Sequence, residues 1–202
     1  MTLDEHDLPG LYLLWPELLL SEPPRAGIPA GYVPRPYTAG DDVAVRRLLE
    51  SERWVATDEE WQDYKDRVLP NGLFLILHAE TNTLAATAGA VHNPNPGRYY
   101  FPFGGELGNL IVHPEHRGKG LGYSVSAMVV GRFISAGYES IRVCVQGFRL
   151  AAVKTYLRLG FVPFLHTEEV RARWERICGQ IDWPFAPERW PRHNNGMRRT
   201  RK

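Results

Sequence analysis

The feature that most constrains this chain is the run Val112-His113-Pro114-Glu115-His116-Arg117-Gly118-Lys119-Gly120-Leu121-Gly122. Residues Glu106 to Val112 before it have strand character. After it, Leu121, Val125, Met128 and Val129 recur at i, i+4, i+7 and i+8, as one face of a helix requires, and Gly137 ends that helix. A strand that passes through closely spaced glycines straight into a helix sets several free amide protons and a positive dipole end around one point, and such a point binds phosphate. Gly118, Gly120 and Gly122 remove Cβ atoms that obstruct close approach, while His116, Arg117 and Lys119 add donors and charge. The competing reading is a tight turn whose glycines serve only packing. Two commoner nucleotide patterns are missing: no Gly-x-x-x-x-Gly-Lys is followed by Ser or Thr, and the spacing of Gly118, Gly120 and Gly122 is not Gly-x-Gly-x-x-Gly.

Upstream, Tyr32 to Tyr37 reads as a strand, and Asp41 or Asp42 caps a helix carrying Val45, Leu48 and Leu49 on one side. Thr57-Asp58-Glu59-Glu60 has capping-box spacing before a stripe of Trp61, Tyr64 and Val68. Pro70-Asn71-Gly72 signals a turn, and Leu73 to His78 with Leu84 to Val91 predicts an antiparallel hairpin. Asn93 to Phe103 mixes prolines with aromatics, which suits either a binding loop or a lid over the core. Downstream, Ile141, Val143 and Val145 alternate as a strand, and Leu150, Val153 and Leu157 mark a helix. Thr167 caps a last helix with Val170, Trp174, Ile177, Cys178 and Ile181 on one side, a stripe that also suits a homodimer contact.

With 202 residues the chain has room for one sizeable core. The expected division is an arm over residues 1–30, rich in proline and packed through Leu and Trp side chains, a domain over 31–182, and a tail over 183–202. The balance of 24 basic and 23 acidic residues offers no global field for nucleic acid or an anionic membrane. The basic cluster Arg198, Arg199, Arg201 and Lys202 reads as a solvated tail. The apolar run Leu11 to Leu20, broken by Trp15-Pro16-Glu17, is too short to span about 30 Å of hydrocarbon. Cys144 and Cys178 show no close ligand spacing, and no secretory segment is evident, so a reducing, cytoplasmic setting is expected.

The run from Val112 to Gly122 resembles the acyl-CoA pyrophosphate loop of the GNAT superfamily of N-acyltransferases. Ala152-Val153-Lys154-Thr155-Tyr156-Leu157-Arg158-Leu159-Gly160-Phe161 is similar to that superfamily's later helix, usually Asn-x-x-Ala-x-x-x-Tyr-x-x-x-Gly-Phe, and the likeness extends over roughly residues 32–165. It implies an α/β fold: a mixed, mostly antiparallel sheet with splayed central strands and flanking helices. The implied activity is transfer of acetyl from acetyl-CoA to a primary amine, by direct attack in a ternary complex, with no metal. By the same resemblance, Arg117, Gly118, Lys119, Gly120, Leu121 and Gly122 hold the phosphates, and backbone groups of Leu110, Ile111 and Val112 hold pantetheine and the acyl carbonyl. At position 149 Arg replaces the usual Asn, and Arg149 can reach a phosphate instead.

An alkylammonium with a pKa near ~10.4 must lose a proton before it attacks, so a base or water relay helps. Glu106 is the candidate base. It lies where GNAT enzymes acting on lysine carry a glutamate, and strand parity groups it with Gly108, Leu110 and Val112; the plainer reading is a surface glutamate. Tyr156, on the helix face of Arg149 and Ala152, is the candidate acid for the leaving thiolate, against a core tyrosine beside Gly160-Phe161. His113 and His116 have i, i+3 spacing, but Pro114 argues against a helix there and no third ligand is evident, so no metal is expected. His78 and His92 are reserves for the substrate side. The acceptor is an amine-bearing small molecule or a peptide. A longer acyl donor, or a non-catalytic acyl-CoA sensor, also fits the loop.

Overall fold

A computed structural model describes residues 8–95, 99–101, 103–190 and 197–198. Parts of the Asn93–Phe103 loop (96–98 and 102) and of the terminal basic cluster (199–202) lie outside the described residues. The strands are β1 Leu11–Leu14, β2 Tyr32–Pro36, β3 Val68–His78, β4 Leu84–His92, β5 Tyr99–Tyr100, β6 Gly104–Val112, β7 Ser140–Val145, β8 Val162–Pro163 and β9 Met197–Arg198. The helices are α1 Asp42–Ser51, α2 Asp58–Arg67, α3 Leu121–Ser135, α4 Leu150–Leu159 and α5 Glu168–Gln180.

Seven strands form one sheet in the order β2-β3-β4-β6-β7-β1-β8; β5 pairs with β9 separately. Every pairing is antiparallel except β6 with β7. That mixed, mostly antiparallel sheet is the expected fold. On one face α1 and α2 set Val45, Leu49, Trp61 and Tyr64 against Leu73, Leu75, Val91 and Ile111. On the other, Val125, Val129 and Phe133 of α3, Val153 of α4 and Trp174 and Ile177 of α5 share the main core. Burying each such Val, Leu, Ile or Phe is worth roughly 1.5–3 kcal/mol, more than helix propensity supplies per residue, so packing holds these helices in place. The stripe on α5 that suited a second copy is used inside the chain, with Trp174 and Cys178 fully buried.

The cap signals of α2 and α5 act as read: Thr57 and Thr167 accept from the amides of Glu60 and Val170, both at 3.2 Å. At α1 the outcome differs. Asp41 holds the cap position, but its carboxylate takes Arg35 at 2.6 Å and the Thr38 amide at 2.8 Å. Pro70-Asn71-Gly72 does not end a strand; β3 runs through it with a shifted register and Asn71 at φ +55°.

Two departures from the sequence reading shape the site. Leu11–Leu14, assigned to an arm, is a strand inside the sheet, antiparallel to both β7 and β8. Four residues between Pro9 and Pro16 carry too little periodicity to announce a strand, and their register depends on distant partners. The second departure is a β-bulge. Thr87 pairs with Ile111 and Gly89 with Gly108, so β6 carries one residue more than β4 between them, and Asn109 sits there at φ +52°. The bulge flips the alternation. A Cβ on Gly108 would meet Val91 on the α1/α2 face, whereas Leu110 and Val112 lie beside Gly122 of α3. Strand parity therefore does not group Glu106 and Gly108 with Leu110 and Val112.

Candidate active site

Strands β6 and β7 pair only through Gly104–Ser140, Gly105–Ile141 and Glu106–Arg142. From Leu107 onward that side of β6 has no strand partner among the described residues, so backbone groups of Leu110 and Val112 border an open wedge, whereas Ile111, paired with Thr87, directs its own at β4. After Val112 a 3-10 turn over Pro114–His116 leads to Gly118 and Gly120, with φ +77° and +83°, a region that L side chains avoid. A Cβ on Gly118 would meet nothing within 4 Å, so backbone conformation, not crowding, requires glycine there. Gly122 differs: it lies in α3, where an added Cβ would make only ordinary contacts with Val112 and Thr155, so neither backbone conformation nor crowding demands glycine there. Helix α3 starts on Gly120 without a side-chain cap, which leaves first-turn amides directed at the loop. Leu121, 1% exposed, anchors that turn in the core. Lys119 is exposed, its Nζ 5.9 Å from the Tyr32 ring. These features fit an anionic diphosphate.

At the wide end of the wedge, Arg117 Nε donates to the Val112 carbonyl at 3.1 Å. Arg149 occupies the N-cap position of α4, on the β7 side. Between them stands Glu52, just after α1: one carboxylate oxygen lies 3.3 Å from Arg117 and the other 2.9 Å from Arg149.

On the α1/α2 face a cavity of about 210 Å³ is lined by Trp54, Glu60, Tyr64, Asn93, Glu106 and Asn109 among others. Glu106 faces it and is held from behind. Its Oε2 accepts from Asn93 Nδ2 at 3.0 Å and from Arg142 Nη2 at 2.8 Å, which leaves Oε1 toward the cavity. The same Arg142 nitrogen donates to the Asn93 carbonyl. The Arg142 side chain is fully buried and lies 4.7 Å from the Phe101 ring centre. Burial lowers its pKa, and the Glu106 charge opposes that shift. Thus Glu106 is not a free surface carboxylate.

Tyr156 of α4 is 4% exposed and packs edge-on to Phe161. Burial, and next the neighbouring Cys144, push its phenol above the ordinary pKa, while Arg149 pulls the other way. It stays protonated at neutral pH. Arg149, Glu106 and Tyr156 therefore share one electrostatic neighbourhood. Tyr12 of β1 joins them by hydrogen bonding with Cys144.

Sequence reasoning missed Tyr12, Glu52, Asn93 and Arg142. Arg142 alone left a signal, a cation interrupting Ile141, Val143 and Val145. The two reserve histidines lie outside the cavity lining: His92 bonds the Tyr138 hydroxyl at 2.8 Å, and His78 bonds Thr81 at 3.0 Å. The expected lack of a third ligand beside His113 and His116 is corrected, since Glu115 brings a carboxylate oxygen within 4.8 Å of both. Pro114 starts the 3-10 turn that gathers them. Burial, then Lys119 and the neighbouring histidines, lowers the His116 pKa, and Glu115 opposes that shift.

The acetyltransferase (GNAT) family profile matches residues 43–161, more than half of the chain. The chain belongs to the GNAT family. GNAT relatives include a mycothiol acetyltransferase of Paenarthrobacter aurescens, 29% identical over 161 residues, covering 74% of this chain and 49% of the relative. Another, from Kytococcus sedentarius, is 30% identical over 150 residues, covering 70% and 49%. The chain thus spans about half the length of these curated relatives. A solved GCN5-related N-acetyltransferase from Sphaerobacter thermophilus superposes with a TM-score of 0.61 at 20% identity, over 78% of this chain and 50% of that one. It supports the fold. GNAT proteins use acetyl-CoA, and the open wedge, the uncapped start of α3 and the Gly118–Gly120 backbone suit it.

A glycine that the backbone conformation demands separates experimentally from one that nothing demands. Gly120→Ala places a Cβ in the left-handed region at a cost of roughly 1–2 kcal/mol, so the loop relaxes and CoA affinity falls about tenfold in calorimetry. Gly179→Ala, in α5 with open space around it, leaves CoA affinity unchanged and raises stability by about 0.4–1 kcal/mol.

Proposed function

We propose that the chain transfers acetyl from acetyl-CoA to a primary amine by direct attack within a ternary complex. The observation that carries this reading is the splay of β6 from β7: a phosphate-binding loop lies at one end of the wedge and a polar cavity with Glu106 on the α1/α2 face. Residues 117–122 and Arg149 hold the phosphates, and backbone groups of Leu110 and Val112, on either side of Ile111, hold pantetheine and orient the thioester carbonyl. Amide donors on that oxygen stabilise the developing oxyanion. The amine nitrogen forms a bond to the acetyl carbon, and the carbon–sulfur bond breaks. The amine proton leaves through Glu106, directly or by a water, and the Tyr156 phenol donates to the departing sulfur.

The acceptor belongs to the small polar amines, since Glu60, Asn93, Glu106 and Asn109 dominate the cavity beside Trp54. The relatives named for mycothiol make that kind of acceptor the first to try. Incubation with acetyl-CoA and an amine panel, followed by free-thiol release, tests the reading. Thiol release that depends on an amine supports it; CoA binding with no release from any amine assigns the chain to a non-catalytic acyl-CoA sensor. With a responsive amine, Glu106→Gln is expected to lower kcat/KM by about a hundredfold near pH 7. The deficit shrinks as pH rises toward the amine pKa near ~10.4, where the acceptor is already deprotonated. A deficit that stays constant with pH removes Glu106 from proton transfer.

A further inference from the structure

The clasp at the wide end of the wedge has a second meaning. Two guanidiniums that converge on one carboxylate form an anion site, because carboxylate and phosphate oxygens suit the same donors. Here the anion belongs to the chain: Glu52 takes Arg117 through one oxygen and Arg149 through the other. Glu52 also belongs to the turn that carries Trp54, which lines the acceptor cavity and lies 5.4 Å from the Arg149 guanidinium. The turn is tightly wound, with Arg53 at φ +59° and the Trp54 amide bonded to the Leu49 carbonyl at 3.2 Å.

We propose that Glu52 is a built-in counter-anion of the donor site, exchanged for CoA phosphate, and that this exchange moves Trp54 and so tells the acceptor cavity that the donor is bound. The inference rests on the acetyl-CoA reading above. Without CoA, Glu52 keeps the two arginines neutralised and joins the β6 and β7 sides of the wedge. When phosphate oxygens take Arg117 and Arg149, Glu52 loses both partners and Trp54 loses the guanidinium beside it. Glu52 is thus a positioning residue. It touches neither reacting atom and acts through two donor-site cations and one acceptor-site ring.

Glu52→Gln keeps the side-chain volume but removes the charge, so the internal competitor is lost. Calorimetry with CoA on the full chain is expected to give about fivefold tighter binding at low salt, the scale of a partly exposed ion pair. That gain should fade at high salt, where two uncompensated cations are screened. A purely structural Glu52 predicts weaker or unchanged CoA binding, and either result overturns the proposal. A second measurement does not need that variant. CoA should change the tryptophan emission of the wild-type chain, and Trp54→Phe should abolish most of the change; the same change in both proteins overturns the exchange. Wild-type protein that fails to bind CoA removes the donor reading itself. CoA binding with no Glu52 effect removes only this inference.

Discussion

Tyr156→Phe is expected to lower kcat by about a hundredfold or more while the CoA dissociation constant stays within about twofold. The substitution deletes one hydroxyl and keeps the ring that packs edge-on to Phe161, so the fold is retained. The phenol is 4% exposed, and burial holds it protonated, the form that donates to a leaving sulfur. A hydrogen bond made only as the carbon–sulfur bond breaks contributes to the transition state and not to ground-state binding, which is why kcat and affinity separate. Thiol release at saturating acetyl-CoA, with calorimetric CoA binding alongside, checks both halves. An unchanged kcat would return Tyr156 to the role of a core tyrosine.

The second large effect concerns stability. Arg142→Met is expected to cost about 3 kcal/mol, because the change removes the cation that faces Glu106 and the donor to the Asn93 carbonyl from a fully buried position. For a chain of this size that corresponds to roughly 6–12 °C in melting temperature. Adding Glu106→Gln should recover part of the loss, since a neutral amide no longer needs the guanidinium, so the two changes combine less than additively. Thermal melts of the two single variants and the double variant complete the cycle. Full additivity would show that the 2.8 Å contact carries no coupling.

Local chemistry was legible in the sequence wherever it was set by neighbours in the chain. Gly118 and Gly120 adopt positive φ, and both the loop between β6 and α3 and the caps of α2 and α5 follow from residues a few positions apart. What depended on distant partners was not legible. The bulge at Asn109 is defined by the count of residues on β4 opposite β6, and only the tolerance of asparagine for the left-handed region hinted at it. Arg142 looked like an outward-facing polar residue in an alternating strand, yet Phe101 covers it and Glu106 pairs with it. Glu52 lies 65 positions from Arg117 and 97 from Arg149, and no motif spans such distances.

The placement of β1 sets a rule for how the chain must be assembled. Leu11–Leu14 leaves the ribosome before its partners Arg142–Val145 and Val162–Pro163, which emerge roughly 130 or more residues later. Until then an apolar segment waits with both edges unpaired, which makes it a place for early self-association and for chaperone capture. Closing so long a loop is slow but adds little to the equilibrium cost, since the entropy grows only with the logarithm of loop length. Refolding should therefore be limited by insertion of this strand, and Tyr12 reaches Cys144, near Tyr156, only when that step is complete.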